Sequence, residues 1–192
     1  MKEIKGTRYE QLLKIIDLIR PKTIIEIGTF DGDNAIRMIQ RAREYTADVT
    51  YIGYDLFEAA TTETDKEEFN VKEHHSVEVV GQKLKDACPG VIITLIRGNT
   101  RETLKNKIRA DLVFVDGGHS IETIVNDYEA VRQSSVIILD DFYMPDPSGA
   151  ISDTSHYGCN QLVSGIPNRI ILPVKDKVSG GGMVAMALVV NK

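Results

Sequence analysis

The sequence predicts an α/β fold: a doubly wound, mostly parallel seven-stranded sheet closed by a C-terminal antiparallel hairpin. Three observations carry the prediction. Short apolar runs alternate with amphipathic stretches up to residue 139, the pattern of strands joined by crossover helices. The apolar runs stop at Gly28, Asp55, Asp116 and Asp140, residues that end strands and open turns. The last two apolar runs, 170–172 and 183–190, are joined through Gly180, Gly181 and Gly182 by too short a stretch for a parallel crossover, which makes them an antiparallel pair.

Each element follows from its residues. Over residues 9–20, Leu12, Leu13, Ile16 and Ile19 share one helical face and Pro21 stops the helix. Residues 23–27 form a buried strand ending at Gly28, and Asp33 or Asn34 is placed to cap a helix running to about Glu44. Residues 49–54 are the second strand. The polar stretch 61–68 reads as a loop, followed by a helix from Val77 that Pro89 and Gly90 terminate. Strand 91–97, a helix opening near Thr100, strand 111–115, helix 120–133 and strand 135–139 complete the alternation. Residues 146–158, rich in Pro, Ser, Asp and Gly, read as a long loop.

Composition limits the function. Of the 192 residues 42% are hydrophobic and 27% charged, which suits one globular domain spanning 1–192. A formal charge of −5 argues against a nucleic-acid footprint. Cys88 and Cys159 form neither a disulfide framework nor a zinc signature. No apolar run reaches the length of a membrane span, and residues 1–5 lack the apolar core of a signal peptide. The cytoplasm is the expected location, with a small molecule as partner and a homo-oligomer as a candidate assembly.

The first strand-to-helix turn, Glu26-Ile27-Gly28-Thr29-Phe30-Asp31-Gly32, lies where open α/β sheets bind ligands if its strand is central. A tight turn needing glycine for geometry alone explains it equally well. Phe30 stands where a dinucleotide fingerprint requires its second glycine, which disfavours NAD. Glu26 suits a ligand with a positive group. Asp55 is placed to take the hydroxyls of a ribose, or simply ends its strand. Asp116, Asp140 and Asp141 close the fourth and fifth strands at the same edge. Three converging carboxylates repel one another unless a cation such as Mg²⁺ relieves them; a solvated turn is the alternative for Asp140 and Asp141. His119, three residues after Asp116, is a candidate proton acceptor near neutral pH or the start of the next helix. His156 is a weaker candidate, and His74 and His75 read as solvated.

The runs Ile25-Glu26-Ile27-Gly28-Thr29-Phe30-Asp31-Gly32 and Asp111-Leu112-Val113-Phe114-Val115-Asp116-Gly117-Gly118-His119-Ser120, with Asp55 between them, closely resemble class I S-adenosylmethionine-dependent methyltransferases. Within that class the D-G-x-H-S signature resembles small-molecule O-methyltransferases, catechol-type and macrolide-sugar enzymes among them. The resemblance covers about residues 24–190 and implies a Rossmann-like sheet and S-adenosylmethionine as cofactor. It implies that Gly28 and Gly32, with Thr29 and Phe30, line the methionine part, and that Glu26 holds the amino-group side. Asp55 then takes the ribose and Asn99 the adenine, although Asn99 equally reads as a helix cap. Asp116 borders the cofactor and serves in catalysis with His119 as base. Catechol-type members bind metal through an Asp after the fourth strand and an Asp-Asn pair after the fifth; here the pair is Asp140-Asp141. The expected reaction is methyl transfer to a hydroxyl of a sugar or polyol-like molecule, Mg²⁺-assisted, with segments 58–88 and 144–160 as a lid. The competing readings are a non-catalytic S-adenosylmethionine-binding subunit and a nicotinamide-dependent oxidoreductase. A nucleic-acid methyltransferase is opposed by the charge and by the lack of an N/D-P-P-Y/F tetrad.

Overall fold

The computed structural model describes residues 8–70, 73–146, 151, 153–179 and 181–191. Residues 1–5 of the N-terminal reading, residues 147–150 and 152 of the expected loop, and Gly180 of the expected glycine turn lie outside these. The parallel strands are β1 (Thr23–Ile27), β2 (Thr50–Asp55), β3 (Ile92–Arg97), β4 (Leu112–Val115) and β5 (Val136–Met144). Three more follow: β6 (Ile170–Ile171), β7 (Asp176–Lys177) and β8 (Met183–Val190). The sheet order is β3-β2-β1-β4-β5-β8-β6, with β7 also paired to β8. Strand order therefore reverses between β1 and β4, and β8 enters antiparallel between β5 and β6. The described sheet has eight strands. The one beyond the expected seven is the two-residue β7, too short for its side chains to announce a strand.

The helices are α1 (Arg8–Ile19), α2 (Asp33–Arg43), α3 (Thr62–Glu67), α4 (Val77–Ala87), α5 (Thr100–Thr103), α6 (Ile121–Val131) and α7 (Gly158–Gly165), and Phe57–Ala59 form a 3₁₀ turn. In α1, Leu12, Leu13 and Ile16 of the expected face are buried with Ile15 beside them, and Ile19 packs partly buried against the same core. The cap of α2 departs from expectation. The chain enters it from Gly32 in the left-handed region (φ 80°) with no side-chain cap, so Asp33 is the first helical residue and pairs with Lys83 at 2.7 Å. The stretch 61–68, expected as a loop, holds α3, because Thr61 and Thr64 form a reciprocal capping box. Residues 158–165, unassigned in the sequence, form α7, which packs Cys159 and Val163 inward.

Both faces of the sheet are covered. Leu112 and Phe114 of β4 point to a core with Ile16 of α1, Met38 and Ile39 of α2 and Leu84 of α4. Val113 and Val115 point to a second core with Ile124 and Val131 of α6 and Val163 of α7. A strand covered on both sides must be apolar at every position, which is why β4 reads as a continuous hydrophobic run. Cys88 and Cys159 are buried free thiols.

One polar group sits deep in this frame. Asp127 of α6 is fully buried, and its Oδ2 has no hydrogen-bond partner, alone in this among the described buried side-chain atoms. Burial pushes its carboxyl up to about 6. The folded chain thus holds this proton more tightly than the unfolded chain, so the associated stability is complete below about pH 4 and lost as pH rises through about 6. Asp127→Asn should therefore unfold at a higher temperature than the parent at about pH 8, by on the order of 2 kcal/mol, with the gap shrinking as pH falls towards 4. Thermal denaturation across that range checks this; a pH-independent difference would contradict it.

Candidate functional site

The reversal of strand order opens a crevice at the carboxyl ends of β1, β2 and β4, and a cavity of about 660 Å³ fills it. Its floor is set by a close approach of two chain segments. The Asp116 N–H donates to Ile27 O at 2.8 Å, and Gly28 lies at φ 92°. A Cβ on Gly28 would come within 2.1 Å of the Asp116 carbonyl oxygen. Glycine is thus required here on both steric and conformational grounds.

Asp55, the last residue of β2, lines the cavity. Its Oδ2 accepts from the Phe30 N–H and its Oδ1 from the Phe57 N–H, both at 2.8 Å. These bonds fix the carboxylate plane and leave each oxygen a further lone pair. Thr29 and Phe30 lie in the same wall, Phe30 with its ring edge-on to His75 at 5.2 Å between centroids. At the far wall Asn99 borders the cavity and caps α5, its Oδ1 accepting from the Arg101 N–H at 2.9 Å, as its reading as a helix cap expects.

Two residues expected in the wall stand elsewhere. Glu26 is buried and is not among the cavity's lining residues; it accepts a short hydrogen bond from the Tyr51 hydroxyl. The pleat explains this: Ile25 and Ile27 flank it on the opposite sheet face, and its register partner is Gly53, whose missing side chain leaves room for Tyr51 and Thr29. Burial, then the Glu26 charge, raises the Tyr51 phenol well above its usual value. Gly32 also faces away from the cavity, towards Val80 and Leu84, where a Cβ would lie 3.1 Å from Val80. Its role is to turn the chain into α2.

At the other end, Arg8, Tyr9, Asp116 and His119 line the cavity. Strand β5 does not stop at Leu139; a register shift between Leu139 and Phe142 carries it to Met144. Asp141 adopts φ 59° in this bulge, so Asp140 and Asp141 turn to different partners. Asp141 Oδ2 lies 3.3 Å from His119 Nδ1. Asp140, its side chain fully buried, receives Arg8 Nε on Oδ1 at 2.8 Å and Arg8 Nη2 on Oδ2 at 3.0 Å. The Tyr9 hydroxyl donates to Asp140 Oδ2 at 2.8 Å and lies 3.5 Å from Asp116 Oδ2. Burial and the charges of Asp116 and Asp140 push the Tyr9 phenol far upward.

This geometry does not fit the expected metal centre on Asp116, Asp140 and Asp141. The Arg8 guanidinium already lies against both Asp140 oxygens, and the Tyr9 hydroxyl donates to Oδ2 as well. Among the described residues no three His, Cys, Asp or Glu side chains are disposed to hold an ion.

The segment after β2 supplies residues the sequence did not assign to the site. Asp65, Glu68, Asn70 and His74 line the cavity. Glu68 accepts from the Ser120 N–H at 2.9 Å, the Ser120 hydroxyl at 3.0 Å and the Thr123 hydroxyl, fastening this segment to the start of α6. His74, expected in solvent, is half-buried and lies 2.7 Å from Asp65 Oδ1. His156 is exposed and stacks on Tyr157. No local pattern marks Arg8 or Glu68 as site residues, since their partners lie 132 and 52 positions away.

A switch-point cavity with a glycine turn, a strand-end carboxylate and a terminal antiparallel strand defines a class I methyltransferase, dependent on S-adenosylmethionine. A methyltransferase-domain family model matches residues 25–142, and the chain belongs to that family. No curated protein matches the chain in sequence. Among solved structures, the O-methyltransferase TomG from Streptomyces achromogenes, involved in tomaymycin synthesis and solved with SAM, aligns with a TM-score of 0.63 at 17% identity, over 99% of this chain and 82% of its own. An O-methyltransferase from Bacillus cereus in complex with SAH aligns with a TM-score of 0.64 at 14% identity, over 98% and 83%. At such identities the likeness is one of fold.

The floor gives a direct test. Gly28→Ala should cost more than about 2 kcal/mol of stability, from overpacking and left-handed strain together. Urea unfolding measures this, and a variant as stable as the parent would mean that β1 and β4 do not meet as described.

Proposed function

We propose that the protein transfers the methyl group of S-adenosylmethionine to a hydroxyl of a small, sugar- or polyol-like molecule. The observation that carries the reading is Asp55, held by two backbone N–H groups at the switch point and facing the cavity. A carboxylate so fixed suits the paired hydroxyls of a ribose. Asn99 borders the adenine end, and Gly28, Thr29 and Phe30 border the methionine end. Asp55, Asp65, Glu67, Glu68 and Asp116 line the wall, with Asp31 and Asp33 beside Lys83. Such a surface favours a donor that carries sulfonium and ammonium charges. When bound, the donor supplies an electrophilic methyl group.

The chain's own residues then have to align a hydroxyl and take its proton. Asp141 beside Nδ1 orients the His119 ring, which leaves Nε2 to accept the proton as the oxygen attacks. Asp116 and Tyr9 wall the acceptor side. Alignment of nucleophile, methyl and sulfur supplies the larger share of the rate, up to roughly 7–11 kcal/mol for well-oriented reactants. Segments 58–70 and 73–88, fastened through Glu68, and Tyr143 with Tyr157, stacked at 4.2 Å between centroids, are positioned to select the acceptor.

Transfer of labelled methyl from S-adenosylmethionine to a panel of sugars and polyols tests this. Parent enzyme should label at least one hydroxyl acceptor, and His119→Ala should lower kcat by about 10²–10⁴ with the donor still bound. Donor binding with no transfer to any acceptor would favour a non-catalytic binding subunit; unchanged kcat in His119→Ala would remove the base assignment.

A further inference from the structure

The acceptor end holds a fixed cation that belongs to the chain. Arg8 spans three carboxylates: it grips Asp140 through two parallel N–H···O bonds, donates from Nη1 to Asp176 Oδ2 at 3.0 Å, and brings Nη2 to 3.6 Å from Asp141 Oδ1. Only 14% of its side chain is exposed, and it also lies over the Tyr9 ring at 4.7 Å. A planar guanidinium matches a carboxylate two bonds at a time and keeps its charge at any accessible pH. Two of these carboxylates, Asp140 and Asp141, are ones that the sequence, together with Asp116, reads as candidate ligands of a divalent ion.

We infer that Arg8 is the resident cation of this active site, filling between Asp140 and Asp141 the place that the sequence assigns to a metal, so that the acceptor end works without a divalent ion. An ion arriving there would have to displace the bidentate pair, which strands a buried guanidinium, or sit beside a like charge; both are costly. Arg8 does not touch the reacting atoms. It is a positioning residue: it holds Asp140, which fixes the Tyr9 hydroxyl, which stands beside Asp116. The N-terminal helix is thereby part of the site, delivering Arg8 and Tyr9 from outside the matched family region. The inference rests on the reading of this cavity as a methyl-transfer site, yet its test needs no turnover, so the two stand or fall separately.

The test is calorimetric titration of the full chain with MnCl₂ and MgCl₂ at millimolar concentration. Parent protein should take up neither ion, and excess EDTA should leave its thermal midpoint unchanged. Arg8→Met should gain a one-to-one Mn²⁺ site, with an affinity about tenfold or more above any parent binding, and the double variant with Asp140→Asn should lose it. Arg8→Lys, which restores a charge without the fork, should again exclude the ion. A merely structural ion pair would give no such exchange of one cation for another. Stoichiometric Mn²⁺ uptake by the parent that Asp140→Asn abolishes would overturn the inference, as would a folded Arg8→Met that gains no site. Should Arg8→Met fail to fold, Arg8→Gln takes its place, and the parent titration decides the matter without any variant.

Discussion

Two backbone segments meet at the mouth of this sheet with no room for a side chain between them. The Gly28 position faces the Asp116 carbonyl so closely that a methyl group would overlap it, and the Asp116 N–H closes the gap by bonding to Ile27 O. Everything else in the site is measured from that contact. It holds the ends of β1 and β4 together at the point where strand order reverses, and it directs the chain after β1 outward, where Phe30 donates to Asp55. It also sets Gly117, Gly118 and His119 on the opposite rim. A cavity built on strand ends inherits the rigidity of the sheet, as a site that must align three atoms in line requires.

Around that floor the two ends of the cavity solve different electrostatic problems. At the end lined by Asp55 and Glu68 the carboxylates are fixed by neutral groups: backbone N–H on Asp55, hydroxyls and an N–H on Glu68. Both residues line the cavity. At the end lined by Arg8 and Tyr9, Asp140 is wholly buried, and a buried carboxylate without a partner would cost several kcal/mol. Arg8 provides the partner. The bulge in β5 makes the division possible, because one extra residue turns Asp140 to Arg8 and Asp141 to His119.

Much of the fold was legible because the parallel strands are buried on both faces and announce themselves as apolar runs; β1 begins and ends where the residues indicate. Boundaries failed where a tertiary partner extends an element: β5 runs past Leu139 only because β8 pairs with it, and α3 exists through a Thr61–Thr64 box within a polar stretch. That Asp55, Asn99, Asp116 and His119 would line one cavity was legible because strand ends at a switch point share one edge. Glu26 was misplaced because a strand residue's face depends on register, and Gly53 opposite it offers space on the far side. Arg8 was invisible because nothing in its neighbours signals a carboxylate so distant in sequence. The sequence set Asp116, Asp140 and Asp141 at one edge; Arg8, which pairs with Asp140 at 2.8 Å, sits on a helix whose apolar stripe said nothing of its first residue.

The account depends most on the carboxylate at the tip of β2 meeting a ribose. Calorimetric titration with S-adenosylhomocysteine, parent against Asp55→Ala, asks this directly. Saturable one-to-one binding by the parent, weakened about tenfold or more in the variant as lost charged hydrogen bonds require, is the predicted result. Equal affinities would place the ribose elsewhere, and no association by the parent at millimolar concentration would contradict the account as a whole.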